Sequence, residues 1–341
     1  MNVLSLFDGM SCGMLALDRL GIKVDKYYAS EIDKYAMQVS AANYPEIIQV
    51  GDVCDLKSED FKDIDLILAG SPCQGFSFAG KQLAFDDPRS ALFFEFIRLL
   101  KEIKPKYFLL ENVKMKKEYL QIISEQVSAC YPEITFGIEP IFINSSLVSA
   151  QSRQRYYWTN IPNVEQPKER GIVLKDILED GFDTERDKSH CLDANYYKGS
   201  SVENYFKKSR RQMVFKDSQQ NSMVLAPQKL VEIKAGAFRA RSLDENGKRV
   251  AWKDVKPKQV LETRKDEKSN SITSVQKDNV LTKDEVYWRK LTPIECERLQ
   301  TVPDNYTNHV SNTQRYKMLG NGWTIEVIAH ILKNMEVKYE R

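Results

Sequence analysis

The sequence has few of the residues from which proteins build metal centres and disulfide frameworks. Only three histidines occur, and none stands near another, which argues against a histidine-based metal site. The cysteines have no paired spacing, which argues against a zinc site and against a disulfide scaffold. We therefore expect a protein of a reducing compartment that binds no metal. The six cysteines are Cys12, Cys54, Cys73, Cys130, Cys191 and Cys296.

Long apolar runs, internal repeats and low-complexity segments are also missing from the sequence. No stretch approaches the roughly 20 apolar residues that cross a bilayer. The chain begins directly with an apolar strand, so we expect no signal peptide. With 341 residues, of which 42% are hydrophobic and 29% charged, the composition is typical of a soluble globular protein of one large domain or two.

Basic charge is concentrated in one part of the chain, although the whole sequence has a net charge of only +2. Between Lys198 and Lys268, lysines and arginines are twice as numerous as aspartates and glutamates. The excess is interleaved with the aromatic residues Tyr205, Phe206, Phe215, Phe238 and Trp252. A solvated lysine-rich face is one interpretation, and a surface for a polyanionic partner is the other.

The first segment predicts a ligand-binding turn at the end of a strand. Val3–Phe7 is predicted as a strand, Asp8–Gly13 as a tight glycine turn, and Met14 as the opening of a helix that Gly21 ends. Backbone N–H groups at such a helix start face polar ligands in nucleotide-binding proteins. The glycine spacing is not Gly-x-Gly-x-x-Gly, which makes a nicotinamide or flavin cofactor a weak interpretation.

Two carboxylates follow the next predicted strands. Glu31 closes the strand Lys26–Ser30, where an acidic side chain can accept hydrogen bonds from both hydroxyls of a ribose. A surface carboxylate is the alternative. Asp52 and Val53 follow a short strand near Ile47–Val50, and a carboxylate there could accept a hydrogen bond from an adenine amino group.

A cysteine follows the most apolar short strand of the sequence. Asp65–Ala69 is predicted as a buried strand, and the segment Gly70–Ala79 comes directly after it. Pro72 disfavours helix at Ser71 and fixes its own backbone, so the turn is stiff. Such a turn can present the Cys73 thiol as a nucleophile at the carboxyl edge of the sheet. The alternative is a small buried cysteine with no chemical role.

Further charged groups are predicted at the same edge. Glu111 follows the strand Tyr107–Leu110, so one substrate could contact both Glu111 and Cys73. Arg153 and Arg155 precede the strand Tyr156–Asn160 and project to one side, a geometry suited to phosphate or carbonyl oxygens. The remaining predicted elements are helices Lys34–Asn43, Ala91–Lys101, Tyr119–Ala129, 292–300 and Thr324–Met335, and the strand Thr135–Ile143.

The alternation of strands and helices stops at Ile161. The polar stretch from there to about Trp288 contains only short apolar pieces, at Ser222–Leu225, Leu230–Ile233 and Ser271–Val275. We predict a catalytic domain over residues 1–160, completed by residues 310–341. A second, smaller domain rich in strands and loops is predicted over residues 161–309, including the helix 292–300.

Together these segments resemble the cytosine-5 DNA methyltransferase family, of the prokaryotic and phage type, over essentially the whole chain. Six segments match the motifs of that family in order: Phe7–Gly13, Gly70–Ser77, Glu111–Val113, Gln151–Arg155, Leu291–Gln300 and Leu319–Asn321. Two segments, Val148–Ala150 and Gly322–Trp323, are instead similar to the catalytic domain of the animal de novo enzymes. The resemblance implies a doubly wound, mostly parallel α/β sheet, Rossmann-like, with a target-recognition domain.

The resemblance also implies a mechanism. The Cys73 thiolate would add to carbon 6 of a cytosine, and Arg155 would hold the 2-carbonyl oxygen. Glu111 would hydrogen-bond the 4-amino group and protonate, or share a proton with, ring nitrogen 3. Arg153 would support the loop or contact a phosphate. The methyl group would come from S-adenosylmethionine (SAM). The implied SAM-binding residues are Phe7, Asp8, Gly9, Ser11, Gly13, Glu31, Ile32, Asp52, Val53, Pro72, Asn321 and Trp323.

The implied partner is double-stranded DNA, from which the cytosine must be flipped out. The basic region Lys198–Lys268 would contact the DNA, and the loop Gln74–Ser90 would close over the flipped base. Within this loop, the implied DNA contacts are Gln74, Ser77, Lys81 and Arg89. We expect a monomer in the cytoplasm of a bacterial or phage-infected cell, without a stable complex with any cognate restriction endonuclease.

Two other functions are considered. A tRNA cytosine methyltransferase would use the same pocket on RNA, although the long segment between the arginine motif and residue 291 favours a reader of duplex DNA. A catalytically silent DNA-binding relative is disfavoured, because it would not need Cys73, Glu111 and both arginines together.

Overall fold

The computed structural model describes residues 1–71, 91–179, 186–199, 205, 211–217, 234–241, 258–263, 280–282 and 286–336. The chain divides into two compact units. The first unit contains Met1–Ile177, Lys188–Lys198 and Thr292–Arg341, and the second contains Leu178–Asp187 and Gly199–Leu291. Of the features predicted from sequence, residues 72–90, which include Cys73, and the apolar pieces 222–225, 230–233 and 271–275 lie outside the described residues.

A seven-stranded sheet forms the centre of the first unit. Its strands are β1 (Asn2–Leu6), β2 (Lys26–Ser30), β3 (Ile48–Gln49), β4 (Leu66–Ala69), β5 (Tyr107–Val113), β6 (Ile141–Asn144) and β7 (Gln154–Thr159). The spatial order is β3-β2-β1-β4-β5-β7-β6. The first five strands in this order run parallel, and β7 is antiparallel to both of its neighbours. The predicted α/β class with a mostly parallel sheet is therefore confirmed.

The apolar runs of the sequence become the central strands of this sheet. Every residue of β4 is fully buried, and β1 and β5 on either side of it are buried over most of their length. A parallel strand is covered on both faces, so its sequence is continuously apolar instead of alternating. This explains why β1 and β4 were predicted within one residue of their observed bounds, whereas β5, with the polar Glu111 and Asn112, continues three residues past its predicted end at Leu110.

In the described residues, α-helices connect and cover these strands. They are α1 (Cys12–Arg19), α2 (Lys34–Asn43), α3 (Ala91–Ile103), α4 (Lys117–Ser128), α5 (Pro293–Leu299), α6 (Asn312–Asn321) and α7 (Ile325–Leu332). The helix α3 buries Phe93, Phe96, Leu99 and Leu100, which lie on one stripe at helical spacing. None of the described helices is long and apolar enough to cross a membrane.

Two elements differ from the sequence-based expectation. The strand predicted over Thr135–Ile143 is only β6, because Gly137 has a φ of 69° and Phe136 is 95% exposed in a turn before it. The helix α6 was not predicted, since its polar residues and the Gly320-Asn321 pair suggest a turn. Its helical state depends on burial of Arg315, Tyr316 and Leu319, among others.

The helix α5 lies in the first unit, whereas the sequence analysis assigned residues 292–300 to the second domain. Its predicted start is confirmed: Thr292 and Glu295 form a capping box, and Pro293 occupies the first turn. The buried Glu297 carboxylate accepts hydrogen bonds from the Asn305 and Thr307 backbone N–H groups at 2.7 and 2.9 Å. It also pairs with Arg315 of α6 at 3.0 Å. These contacts tie α5 to the C-terminal helices.

The second unit contains two small antiparallel sheets. One has the order β10-β9-β11 and the other pairs β12 with β8. The strands are β8 (Met213–Asp217), β9 (Lys234–Arg241), β10 (Lys258–Thr263), β11 (Val280–Thr282) and β12 (Val286–Lys290). Tyr205, Met213 and Phe215 form a small buried cluster, in which the Gln212 amide donates a hydrogen bond to the Tyr205 hydroxyl at 2.8 Å.

Candidate active site

Successive strands of the sheet are added first on one side of β1 and then on the other. β1 lies between β2 and β4, so connections lead away from it on both sides and leave a crevice at the carboxyl ends of β1 and β4. Ligands of open α/β sheets bind in such a crevice. The segment Phe7–Ser11 follows β1, and Gly70–Ser71 follows β4. The predicted glycine turn and the start of the Cys73 segment therefore leave adjacent strands at the same edge.

The turn after β1 uses left-handed backbone conformations. Phe7, Gly9 and Ser11 have φ values of 57°, 62° and 61°. This turn directs the Gly9 N–H to the Glu31 Oε2 atom at 2.8 Å. A Cβ atom on Gly13 would come 2.4 Å from the Leu68 Cδ1 atom, so glycine is required where α1 approaches β4.

Asp8 lies beneath this turn in a buried network of hydroxyl groups. The Tyr27 hydroxyl donates a hydrogen bond to Asp8 Oδ1 at 2.7 Å, and the Ser11 hydroxyl donates to Oδ2 at 2.5 Å. The Ser11 and Ser40 hydroxyls are 2.6 Å apart. Burial raises the pKa of Asp8 from 3.8 to about 6, against the opposing effect of hydrogen bonds from Ser11, Ser5 and Tyr27.

We expect Asp8→Asn to remove a pH dependence of stability between about pH 4 and pH 7. Because the pKa of Asp8 is higher in the folded state, folding favours the protonated carboxyl. That stabilisation is complete below the unfolded-state pKa and is lost as the pH rises through 6. The loss should amount to about 3 kcal/mol in the free energy of unfolding. Asparagine does not titrate, and it can accept a hydrogen bond from one hydroxyl and donate one to the other.

Denaturant unfolding of wild type and variant at pH 4, 5, 6 and 7 measures this effect. The difference between their unfolding free energies should shift in favour of Asp8→Asn as the pH rises. Asp60→Asn, on an exposed carboxylate, is the matched control and should follow the wild type throughout. A constant difference between Asp8→Asn and wild type at all four pH values would contradict the prediction.

Glu31 and Asp52 lie at the ends of their strands, as the sequence analysis placed them. The Glu31 Oε1 atom accepts hydrogen bonds from the Ile32 and Asp33 backbone N–H groups, both at 2.8 Å. Ile32 itself is 74% exposed. Asp52 accepts a hydrogen bond from the Cys54 N–H at 3.0 Å and begins a short 3₁₀ turn. The contacts of these residues with ribose and adenine stay predictions.

Glu111 and Arg155 form an ion pair across β5 and β7. The strand β5 continues to Val113, so Glu111 lies within it and pairs in register with Tyr157. Because alternate residues of a strand share a face, Arg155 lies diagonally opposite Glu111 on the same face. The Arg155 Nε atom is 2.7 Å from Glu111 Oε1, and the two side chains are 13% and 11% exposed.

A hydrogen bond connects the end of β5 to the segment that leads to Cys73. The Asn112 amide donates to the Ser71 hydroxyl at 3.3 Å, and both residues are buried. Asn112 also accepts a hydrogen bond from the Val113 N–H at 2.8 Å. The predicted residues Pro72, Cys73, Gln74, Ser77, Lys81 and Arg89 lie outside the described residues.

Arg153 is directed into the protein, although it stands only two residues before Arg155. It is 2% exposed, and its guanidinium donates hydrogen bonds to the main-chain carbonyls of Leu192, Gly320 and Gly322. Its described partners are these backbone oxygens and the Cys191 thiol, at 3.4 Å. The predicted support of the loop or contact with a phosphate stays a prediction, because residues 72–90 lie outside the described residues.

Two buried glutamines were not singled out by the sequence analysis. The Gln151 amide donates to the Leu299 carbonyl and to Gln300 Oε1, both at 3.3 Å. The Gln300 amide donates to the Leu319 carbonyl at 2.6 Å, and Thr324 donates to Gln300 Oε1 at 2.9 Å. The sequence signal that could have marked them is their position in the motifs: Gln151 begins the Gln-x-Arg-x-Arg motif, and Gln300 ends the segment Leu291–Gln300.

Trp323 lies where the chain leaves β4. A Cβ atom on Gly70 would come 2.8 Å from the indole Nε1 atom, and Trp323 is 8% exposed. Burial raises the pKa of the Cys12 thiol to about 12, against the opposing effect of the Trp323 backbone N–H. Asn321, the last residue of α6, is exposed.

Comparison with known protein families now identifies the chain. The family model described as C-5 cytosine-specific DNA methylase matches residues 1–337. The chain belongs to this family. Among relatives of the methylase, the orphan methyltransferase M.SPRI of Bacillus phage SPR is 26% identical, and the match covers 98% of this chain and 97% of the relative. The type II methyltransferase M.HhaI of Haemophilus parahaemolyticus is 27% identical over 98% and 94% of the two chains.

A solved structure has the same fold as the methylase. The methyltransferase EhMeth of Entamoeba histolytica superposes with a TM-score of 0.64 and 16% identity, covering 98% of this chain and 97% of that one. The family implies SAM-dependent methylation. In the described part of the methylase, no three histidine, cysteine, aspartate or glutamate side chains are grouped closely enough to hold a metal ion.

Proposed function

We propose that this chain is a SAM-dependent methyltransferase that modifies carbon 5 of a flipped cytosine in duplex DNA through a covalent Cys73 adduct. The observation that carries the proposal is the Glu111–Arg155 pair, at 2.7 Å, because Glu111 lies on β5, which is adjacent to the strand β4 that leads to Cys73. Family membership and the hydrogen bond between Asn112 and Ser71 support it.

The crevice at β1 and β4 has the chemical groups that a SAM molecule requires. The Glu31 carboxylate would accept hydrogen bonds from the ribose, exposed Ile32 would cover an adenine face, and Asp52 would accept from the adenine amino group. When bound, SAM supplies an electrophilic methyl group on a sulfonium ion. The other residues that would surround it are Phe7, Asp8, Gly9, Ser11, Gly13, Val53, Pro72, Asn321 and Trp323.

The chain's own groups would make cytosine reactive. The Cys73 thiolate forms a bond to ring carbon 6, and the electrons of the 5,6 double bond then make carbon 5 nucleophilic. Once the base has displaced Arg155, Glu111 takes up a proton from solvent and donates it to ring nitrogen 3, which offsets the charge that the addition creates. After carbon 5 accepts the methyl group, its proton passes to solvent water and the 5,6 double bond re-forms. The carbon–sulfur bond breaks, Cys73 leaves as a thiolate, and the proton on nitrogen 3 returns to Glu111.

The ion pair suggests how the pyrimidine is received. The positive Arg155 and the negative Glu111 already face each other at 2.7 Å, with little exposure to solvent. A cytosine presents its 2-carbonyl oxygen to a cation, and its ring nitrogen 3 and 4-amino group to a carboxyl. We therefore expect the base to separate the pair and take over one contact from each partner, so neither buried group is left without a hydrogen-bond partner.

The DNA duplex requires further contacts. Extrusion of a base costs a few kcal/mol, which contacts with phosphates and neighbouring bases must offset. We assign these contacts to the basic stretch Lys198–Lys268, much of which belongs to the second unit. Loop residues Gln74, Ser77, Lys81 and Arg89 would contact DNA near the flipped base. Target recognition by the second unit is part of this proposal.

A direct test compares nucleic acid substrates. Purified protein is incubated with tritiated SAM and either unmethylated duplex DNA of mixed sequence or unmodified tRNA. We expect label in duplex DNA, recovered as 5-methylcytosine, and none in tRNA. Labelling of tRNA alone would replace DNA by RNA in the proposal, and label in neither substrate would contradict the proposed activity.

A further inference from the structure

Arg153 holds one particular peptide group of the C-terminal segment. Its Nη2 atom donates to the Gly322 carbonyl at 2.8 Å, and both terminal nitrogens are 3.3 Å from the Gly320 carbonyl. These carbonyls lie at the C-terminus of α6, the negative end of the helix dipole. A buried cation there receives electrostatic compensation without needing a carboxylate.

The same peptide group is held from its other side by the glycine turn. The Gly322 carbonyl and the Trp323 N–H belong to one planar unit, so fixing either group orients both. Arg153 binds the oxygen, and Cys12, the first residue of α1, packs against the other side of this peptide. A Cβ atom on Gly322 would lie 3.5 Å from the Cys12 sulfur, in van der Waals contact.

The position of this peptide determines where the Trp323 side chain lies. The indole packs on the backbone of Gly70, so close that a Cβ atom there would be 2.8 Å from its Nε1 atom. Trp323 thus contacts the chain between β4 and Ser71, and its backbone contacts the beginning of α1. Any displacement of the Gly322–Trp323 peptide would move the indole away from the crevice.

We propose that Arg153 is a positioning residue for the methyl-donor pocket: it holds the Gly322–Trp323 peptide, and through it the Trp323 indole, against the crevice at β1 and β4. The inference rests on the proposed function and deepens it. Arg155, two residues later and within β7, pairs with Glu111 and would hold the pyrimidine. The two arginines of one motif therefore act on different substrates.

Arg153→Lys tests this division, because lysine keeps the charge but lacks the planar fork that reaches two carbonyls. We expect the KM for SAM and the Kd for S-adenosylhomocysteine to rise about 10- to 100-fold, as losing charged hydrogen bonds does. The kcat at saturating SAM should change less than about threefold, and DNA affinity should be unchanged. Arg155→Lys should give the opposite pattern, a lower kcat with unchanged S-adenosylhomocysteine binding.

A second readout does not depend on activity. The Gly322 N–H donates to the Met318 carbonyl at 2.7 Å, and the Ile325 N–H donates to the Gln300 carbonyl at 3.0 Å. Both amides should exchange with deuterium faster in Arg153→Lys than in wild type. Arg98→Lys, on the surface of α3, is the control and should leave exchange and kinetics unchanged.

Trp323→Phe provides a variant in which Arg153 is intact. It should weaken S-adenosylhomocysteine binding. The loss of S-adenosylhomocysteine affinity in the double variant should be smaller than the product of the two single losses, because both changes act through Trp323 on the same pocket. A lower kcat or weaker DNA binding in Arg153→Lys, with S-adenosylhomocysteine affinity unchanged, would overturn the inference. Unchanged exchange and multiplicative effects would do the same. Absence of methyl transfer by wild type would instead refute the proposed function. Deuterium exchange of the Gly322 and Ile325 amides would still test whether Arg153 holds the Gly322–Trp323 peptide.

Discussion

Cys73→Ala should lose methyl transfer, by on the order of 10⁴-fold or more, while duplex DNA binding is retained. Carbon 5 of cytosine is too weak a nucleophile to accept a methyl group until a thiolate has added to carbon 6. Alanine cannot form that bond. Among the described cysteines, Cys12, Cys130 and Cys296 are buried, Cys54 lies in another segment, and the exposed Cys191 thiol already contacts the Arg153 and Arg155 guanidiniums at 3.4 and 4.0 Å.

The covalent step can be measured directly. Duplex DNA with 5-fluorocytosine at its target positions cannot lose a proton from carbon 5, so the enzyme–DNA adduct should persist and migrate as a slower band on a denaturing gel. Wild type should form the adduct in the presence of SAM, and Cys73→Ala should not. Cys54→Ala, which removes an exposed thiol, should behave as wild type. Adduct formation by Cys73→Ala, or a methylation rate within tenfold of wild type, would refute the assignment.

Glu111→Gln is the prediction with the second largest effect. We expect kcat to fall roughly 10²- to 10⁴-fold, the usual contribution of a positioned general acid. Glutamine has nearly the same shape, but it has no proton for ring nitrogen 3 and no charge to compensate Arg155 at 2.7 Å. Both side chains are close to nine-tenths buried, so an uncompensated Arg155 should also reduce stability.

Separate measurements distinguish these two consequences. Thermal unfolding reports the lost ion pair, and single-turnover methylation at a temperature where the variant remains folded reports the chemistry. Glu118→Gln, an exposed residue in the first turn of α4, is the matched control and should match wild type in both. Glu111→Asp keeps the charge but withdraws the carboxyl by about one C–C bond, about 1.5 Å, and should also lower the rate. Full activity of Glu111→Gln would remove Glu111 from the mechanism.

The secondary structure could be predicted from the sequence for the central strands, but only in part for the C-terminal helices. β4 and β5 were recognisable because burial on both faces requires continuous apolar runs. The start of α5 was recognisable because its capping box and Pro293 are local signals. Helix α6 has no comparable signal, and its helical state depends on long-range contacts such as the ion pair between Arg315 and Glu297.

The site shows the same contrast. The sequence placed Glu111 and the glycine turn at the carboxyl edge of one sheet, because residues that follow parallel strands must meet there. It gave Arg153 and Arg155 equivalent positions, since residues two apart on a strand share a side. Their separation depends on Gly320 and Gly322, whose carbonyls approach Arg153 only after the C-terminal helices have packed.

By itself, the sequence determined the sheet class, the crevice and the order of the motifs, because these follow from local apolar patterns and from residues at strand ends. Only the tertiary structure decided that Arg155 pairs with Glu111 and that Arg153 holds the Gly322–Trp323 peptide. It also decided that α5 belongs to the first unit. The physical reason is that these contacts join residues far apart in the chain, and no local propensity or spacing encodes which partners meet.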